Sequence, residues 1–235
     1  HREMSFSVQL SSPHIVQVFE VSPPDAEVPF IAMERLRGSD LATRLRNELR
    51  LSLDELTELV QQVARGLDVA HAAGIVHRDL KPHNLFSHGD RWKILDFGVA
   101  KVMGSEGTLT EGAIIGTPNY MAPEQAAGLT VTHLADIYAL GAIIYRCLTG
   151  RAPFSGDGKD IAGLIYQVVN LPPPRPSSHG SIPRGVEDVI AVAMAKLPQA
   201  RFQSARELAE EFTAVQRRGY TTRSLPANAW SWGMH

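Results

Sequence analysis

The sequence predicts an α+β chain of two unequal lobes, on three observations. Short β-patterned runs come first, at residues 15–21 and 29–33, parted by a Pro-Asp loop at 22–28. From Ser39 to Arg217 most apolar residues recur at helical spacing. Between these regions lies Glu34–Gly38, a connector with no period of its own. Strands followed by a run of helices is the α+β pattern.

In chain order, residues 1–10 read as the end of a helix closed by a Ser11-Ser12-Pro13 turn, ahead of the two strands. Ser39–Leu49 reads as a short amphipathic helix. Ser52 with Glu55 forms a capping box for the next helix, whose apolar positions Leu56, Leu59, Val60, Val63, Leu67 and Ala70 share one face, with Gly74 as its stop. Ile75-Val76 and residues 93–95 read as short strands, with Ser87–Asp90 as a turn. Residues 99–131 carry much Gly and Thr and little periodicity, which predicts a long functional loop. Leu134–Leu148 is apolar on more than one face and closed by Gly150, as a central buried helix would be. Asp160–Asn170 is another helix, and Leu171–Ser178 a stiff Pro-rich connector rather than an SH3-type ligand. Val186–Lys196 and Ser204–Arg217 complete the helical body, the latter behind a second capping box, Ser204 and Glu207. Residues 218–235 form a tail.

The 235 residues are 44% hydrophobic and 20% charged, ordinary for a globular protein. With 23 Lys plus Arg against 25 Asp plus Glu, the formal charge is −2, which argues against nucleic acid or an acidic membrane as main partner. The lone Cys147 cannot form an internal disulfide and fits a reducing compartment. The longest apolar run, Ile137–Leu148, is interrupted by Arg146 and falls short of the ~20 residues that span a bilayer. A cytoplasmic location without membrane contact by this segment is expected, although a longer parent protein is free to be membrane-anchored.

The chemistry concentrates between His77 and Gly98. The run His77-Arg78-Asp79-Leu80-Lys81-Pro82-His83-Asn84 is followed, across a short apolar strand, by Asp96-Phe97-Gly98. Phosphoryl transfer from ATP needs a carboxylate beside the acceptor hydroxyl, a cation near the moving group, and oxygen ligands for magnesium. Asp79, Lys81, Asn84 and Asp96 supply these in order. Each alone would read as loop charge; the ordered set does not.

These motifs resemble the protein kinase family, in its serine/threonine branch of bacterial, eukaryotic-like type. The resemblance implies a two-lobed protein-kinase-like fold with a partial β-rich N-lobe and a mainly helical C-lobe. Residues 1–33 would be the partial N-lobe (end of helix C and strands 4–5), 34–38 the hinge, and 39–217 the helical C-lobe. It implies ATP and Mg2+, and a protein substrate with a Ser or Thr acceptor, the branch being marked by Lys81. Asp79 would be the catalytic base or hydroxyl-orienting carboxylate, Lys81 the γ-phosphate cation, and Asn84 and Asp96 the metal ligands. Met33 would limit access behind the adenine, Glu34–Leu36 would offer hinge backbone, and Phe86 would lie under the ring.

His77 and Phe97 belong, by resemblance, to a packed column rather than to chemistry. Arg78 is expected to be a buried guanidinium awaiting an anion, supplied by phosphorylation of Thr108 or Thr110. Thr117 would hydrogen-bond Asp79 and Lys81, Glu124 would pair with Arg201, and Asp136 would accept catalytic-loop N–H groups. Glu3 matches the helix glutamate that pairs with a strand lysine. That lysine and the family's Gly-x-Gly-x-x-Gly loop occur nowhere in the sequence. They are expected in roughly 40–50 residues ahead of His1, making this an N-terminally truncated domain with impaired activity. A pseudokinase or docking module is the alternative, and a small-molecule phosphotransferase the third reading. Self-association for autophosphorylation is a further expectation.

Overall fold

The computed structural model describes residues 10–23, 26–97, 118–154 and 160–219. The first strands are β1 (Val18–Val21) and β2 (Ile31–Met33), an antiparallel pair with a register irregularity between Val18 and Glu20. A second sheet, of order β3-β4-β5, joins Gly38–Asp40, Leu85–His88 and Arg91–Ile94, all antiparallel. Residues 14–16 lace the two regions together. Val16 N–H donates to the Ile94 carbonyl and Ile94 N–H to that of His14, both at 2.9 Å.

The helices are α1 (Leu41–Glu48), α2 (Leu53–Ala72), α3 (Pro123–Ala126), α4 (Leu134–Thr149), α5 (Ile161–Asn170), α6 (Arg184–Ala193) and α7 (Ala205–Arg218). The long helix α4 is the core of the large lobe. All its residues from Ala135 to Tyr145 are buried, which is why its sequence is apolar all round. Arg146, which interrupts that run, reaches out to donate to the Leu49 and Leu45 carbonyls at the end of α1. Gly150 closes α4 at φ 75°.

The β4–β5 hairpin is pinned to α2. Gln62 donates to the Asp90 carbonyl at 3.1 Å and accepts from Trp92 N–H at 2.7 Å. The approach is close at Gly66, where a Cβ would stand 2.9 Å from both the His14 carbonyl and Ile94 Cδ1. Gly38, the last connector residue, has φ 140°, and a Cβ there would meet the Ser87 carbonyl at 1.9 Å. The pairing of β3 with β4 depends on this absence of a side chain.

Several sequence expectations need correction. Ile75-Val76 is not a strand: Ile75 N–H turns back to the Ala70 carbonyl at 2.9 Å, finishing the end of α2. Ser87 and His88 belong to β4, and only Gly89-Asp90 make the turn. The first helix begins after Asp40, whose carboxylate accepts from Thr43 N–H. Helix α6 ends at Ala193, because the carbonyls of Ala195 and Lys196 serve Arg201 instead of a further helical turn. The second capping box is half formed: Ser204 accepts from Glu207 N–H, while Glu207 reaches one residue further back, to Gln203 N–H. The Pro-rich connector is a fastened loop. Pro173 and Pro176 are buried, and Ser177 N–H donates to the buried Glu187 at 2.6 Å.

The Ser52–Glu55 box is complete, with Ser52 N–H donating to Glu55 at 3.0 Å. The Ser52 hydroxyl first, then its N–H and the Arg44 guanidinium, bring the Glu55 carboxyl from 4.5 down to about 2. A depressed folded-state pKa stabilises the fold above the unfolded value and is lost as pH falls through the folded one. The window here is therefore about pH 4.5 to 2. Ser52→Ala is expected to cost about 1 kcal/mol and to flatten the pH dependence of the urea midpoint in that window.

Candidate active site

A 3₁₀ turn at Pro82–Asn84 leads directly into β4, and β5 runs back to Asp96. The turn and the strand end are joined by Leu95 N–H donating to the Asn84 carbonyl at 2.9 Å. Asn84 and Asp96 thus lie beyond the same, open end of the β4–β5 hairpin, with Asp79 and Lys81 on the loop that leads into it. The Asp79 carboxylate is exposed and pairs with Lys81 Nζ at 2.6 Å. Asn84 is buried; its Nδ2 donates to the Asp79 carbonyl at 2.8 Å and lies 3.4 Å from Oδ2. With the amide nitrogen committed to Asp79, the side-chain oxygen of Asn84 is the end left to act as an acceptor.

Two residues here have left-handed backbones, Arg78 at φ 67° and Asp96 at φ 58°. Such conformations cost about 1–3 kcal/mol each and persist only where neighbours impose them. For Arg78 the imposing group is Asp136. Its buried carboxylate accepts from His77 N–H and Arg78 N–H, both at 2.9 Å, and from the His71 ring Nε2 at 2.7 Å. His77 accepts from Asp79 N–H at 3.2 Å, and its Nε2 donates to the Leu95 carbonyl at 2.8 Å. Both ring nitrogens are thus engaged, and the ring meets Phe97 edge-on at 4.8 Å. His77 is a structural residue with no nitrogen left for proton transfer.

Beside the carboxylate edge lies the connector between the lobes. Glu34 N–H donates to the Gln17 carbonyl and Gln17 N–H to Glu34 Oε1, each at 2.9 Å. The same Oε1 accepts from Lys93 Nζ at 2.5 Å, a pair that ties the connector to the strand leading to Asp96. Burial pushes the Glu34 carboxyl up, but the hydrogen bonds from Lys93 and Gln17 and the ammonium charge prevail, leaving it below the usual carboxylate range. Met33 is 41% exposed at the end of β2, and Leu36 is half-buried. Phe86 stands opposite Lys93 and Asp40 in the sheet register, its ring 3.5 Å from where a Gly38 Cβ would be.

Arg78 is exposed, which corrects the expectation of a buried guanidinium. Its backbone N–H is held by Asp136, and the residue itself stands exposed at the surface. Glu3, Thr108, Thr110 and Thr117 lie outside the described residues. The expected support pair is present: Arg201 and Glu124 meet in two parallel hydrogen bonds of 2.7 Å, both side chains buried.

Sequence reasoning missed three contributors: Lys93, His71 and Gln125. Gln125 Nε2 donates to the Arg78 carbonyl at 2.7 Å. A charged residue inside an apolar strand was the available signal for Lys93. Nothing local marks Gln125 or His71, whose partners lie 47 and 65 residues away.

Comparison with known proteins agrees with this geometry. The family model for the protein kinase domain matches residues 1–213. Serine/threonine-protein kinase PknD of Mycobacterium tuberculosis is 38% identical over 211 residues, covering 88% of this chain and 31% of the relative. PknE of the same organism is 37% identical over 209 residues, covering 88% and 36%. The chain therefore spans about a third of the length of these curated relatives. Among solved structures, the M. tuberculosis PknI kinase domain superposes with TM-score 0.74 at 28% identity, over 92% of this chain and 77% of that one. Rad53 1–466 in complex with AMP-PNP superposes with TM-score 0.75 at 27% identity, over 89% and 53%. A carboxylate edge held by Asp136 and Asn84, on a fold shared with these proteins and across nearly the whole chain, places it in the protein kinase domain family.

Proposed function

We propose that this chain carries the catalytic core of a serine/threonine protein kinase that transfers the γ-phosphoryl group of ATP to protein Ser or Thr hydroxyls. The observation that carries the reading is the exposed Asp79 carboxylate, held beside Lys81 and Asn84 on a loop that Asp136 fixes from behind. In the transfer, the acceptor oxygen forms its bond to the γ-phosphorus while the bond to the bridging oxygen of ADP breaks. Asp79 orients the hydroxyl and takes its proton. Lys81 leaves Asp79 for the phosphoryl oxygens as their charge becomes available.

Magnesium fits the donor set, one neutral oxygen from Asn84 and one anionic from Asp96, since this ion keeps several waters and shares its shell with phosphates. When bound, it would neutralise charge on the phosphate oxygens. The connector at Glu34–Leu36, with Met33 and Phe86, would receive the adenine. Thr108 or Thr110, once phosphorylated, would dock against the exposed Arg78, and Thr117 would steady Asp79 and Lys81. Self-association would bring a second copy's loop to the site. Such chemistry belongs on the cytoplasmic side, where ATP is; among the described residues no helix is long and apolar enough to cross a membrane.

A binding-only role is the second reading, because no Gly-x-Gly-x-x-Gly cradle occurs in these 235 residues. Removing preorganised donors costs ~10²–10³ in rate, so the 235-residue chain by itself is expected to be feeble. The test is ATP- and magnesium-dependent autophosphorylation of this chain beside a form extended upstream of His1 in its own gene, with Asp96→Asn as control. Phosphate incorporation abolished by Asp96→Asn supports the kinase reading. Silence in both forms transfers the weight to binding without catalysis. Mass spectrometry of the active form should find Thr108 or Thr110 phosphorylated; an unmodified 98–116 segment would remove the proposed role of Arg78.

A further inference from the structure

We propose that Gln125 is a positioning residue for phosphoryl transfer, acting through the Arg78 carbonyl on the adjacent Asp79; this rests on the kinase reading above. Arg78 has the left-handed backbone of the catalytic loop, with φ 67°. Asp136 holds its N–H, and Gln125 holds its carbonyl from the other side at 2.7 Å. The two contacts grip both peptide units flanking the strained residue. Asp79 is next in the chain, so freedom at Arg78 becomes displacement of the Asp79 carboxylate.

The position of Gln125 is itself well determined. Its neighbour Glu124 is buried and locked to Arg201 through two hydrogen bonds, so the short helix α3 cannot shift independently. The Gln125 amide is also oriented. Oε1 accepts from Ala122 N–H at 3.1 Å, which satisfies the start of α3 and leaves Nε2 turned to Arg78. Capping the helix requires only the oxygen. The nitrogen is surplus to the cap, and its one described partner is the loop carbonyl. A side chain of this length needs both a donor and an acceptor to bridge the two sites, and among natural residues glutamine fits that demand. Arg201, Glu124, Gln125, Arg78 and Asp79 thus form one connected support from the helical core to the reacting edge.

The two functions of the amide can be separated by substitution. Gln125→Glu keeps the acceptor for Ala122 N–H and loses the donor to Arg78. Gln125→Met loses both. In the upstream-extended form, both variants should lower kcat about ten- to a hundredfold, with KM for ATP and for a peptide acceptor within about twofold. Amide exchange at His77–Leu80 should quicken, and the Tm of Gln125→Glu should stay within about 2 °C of the parent. The activity of Gln125→Glu, taken relative to the parent, should recover as pH is lowered, because a protonated carboxyl regains a donor for the Arg78 carbonyl.

Unchanged kcat and unchanged loop exchange in both variants would overturn the proposal. So would a loss confined to Gln125→Met, which would leave the helix cap as the only role. A kcat loss matched by a falling folded fraction would equally reduce Gln125 to a stabilising residue. If the parent transfers no phosphate, the kinase reading fails separately, and exchange at His77–Leu80 still decides whether Gln125 holds the loop.

Discussion

Glu124→Ala is expected to destabilise the folded chain by about 3–5 kcal/mol, because it leaves the Arg201 guanidinium buried and uncompensated. Arg201 has a fully buried side chain, and all its N–H directions are used. Two go to Glu124, and the rest to the carbonyls of Ala195, Leu134 and Lys196, at 2.8, 2.8 and 3.2 Å. Its guanidinium also lies 5.0 Å over the Tyr138 ring. One side chain therefore joins α3, the start of α4 and the loop between α6 and α7. Arg201→Met should be comparably damaging, since it strands the Glu124 carboxylate. The double variant Glu124→Ala/Arg201→Met should be less damaging than the sum of its parts, because no charge is then buried alone. Urea denaturation of the four chains is the measurement. Single-variant losses below about 1 kcal/mol would place this pair among ordinary surface ion pairs.

Asp79→Asn should lower kcat by about 10²–10⁴ with little change in ATP affinity. The substitution preserves shape and leaves the Asn84–Asp79 carbonyl contact intact, so the loop should hold its course. What it removes is the carboxylate proposed to orient the acceptor hydroxyl and take its proton, together with the charge that pairs with Lys81. Nucleotide titration and initial rates on the upstream-extended form separate the two effects. Equal loss of affinity and rate would show instead that the substitution disturbs the loop as a whole. A variant retaining near-parental kcat would exclude Asp79 as base.

Much of this architecture was legible because its signals are local. The Ser52–Glu55 box, the all-apolar α4 with Gly150 at its end, and the ordered run from Asp79 to Asp96 each depend on near neighbours in sequence. The errors fall where distant partners decide. Ile75-Val76 has a β-branched composition, yet Ile75 N–H is claimed by the end of α2, so no strand forms. Helix α6 stops early because Arg201, beyond it in the chain, takes the carbonyls of Ala195 and Lys196. Arg78 looked buried beside a carboxylate, but the fold grips its backbone and leaves the side chain at the surface.

By itself the sequence determined the order of strands and helices, the candidate reacting residues and the family, because periodicity, caps and a contiguous motif are properties of adjacent residues. The tertiary structure alone decided how those residues are held. The left-handed Arg78 between Asp136 and Gln125, the Lys93–Glu34 tie to the connector and the His71–Asp136 contact all join segments far apart in the chain. A hydrogen bond of this kind leaves no periodic trace in sequence. Its existence depends on two backbones packed to within about 3 Å of a shared polar atom, and only the folded chain sets that distance.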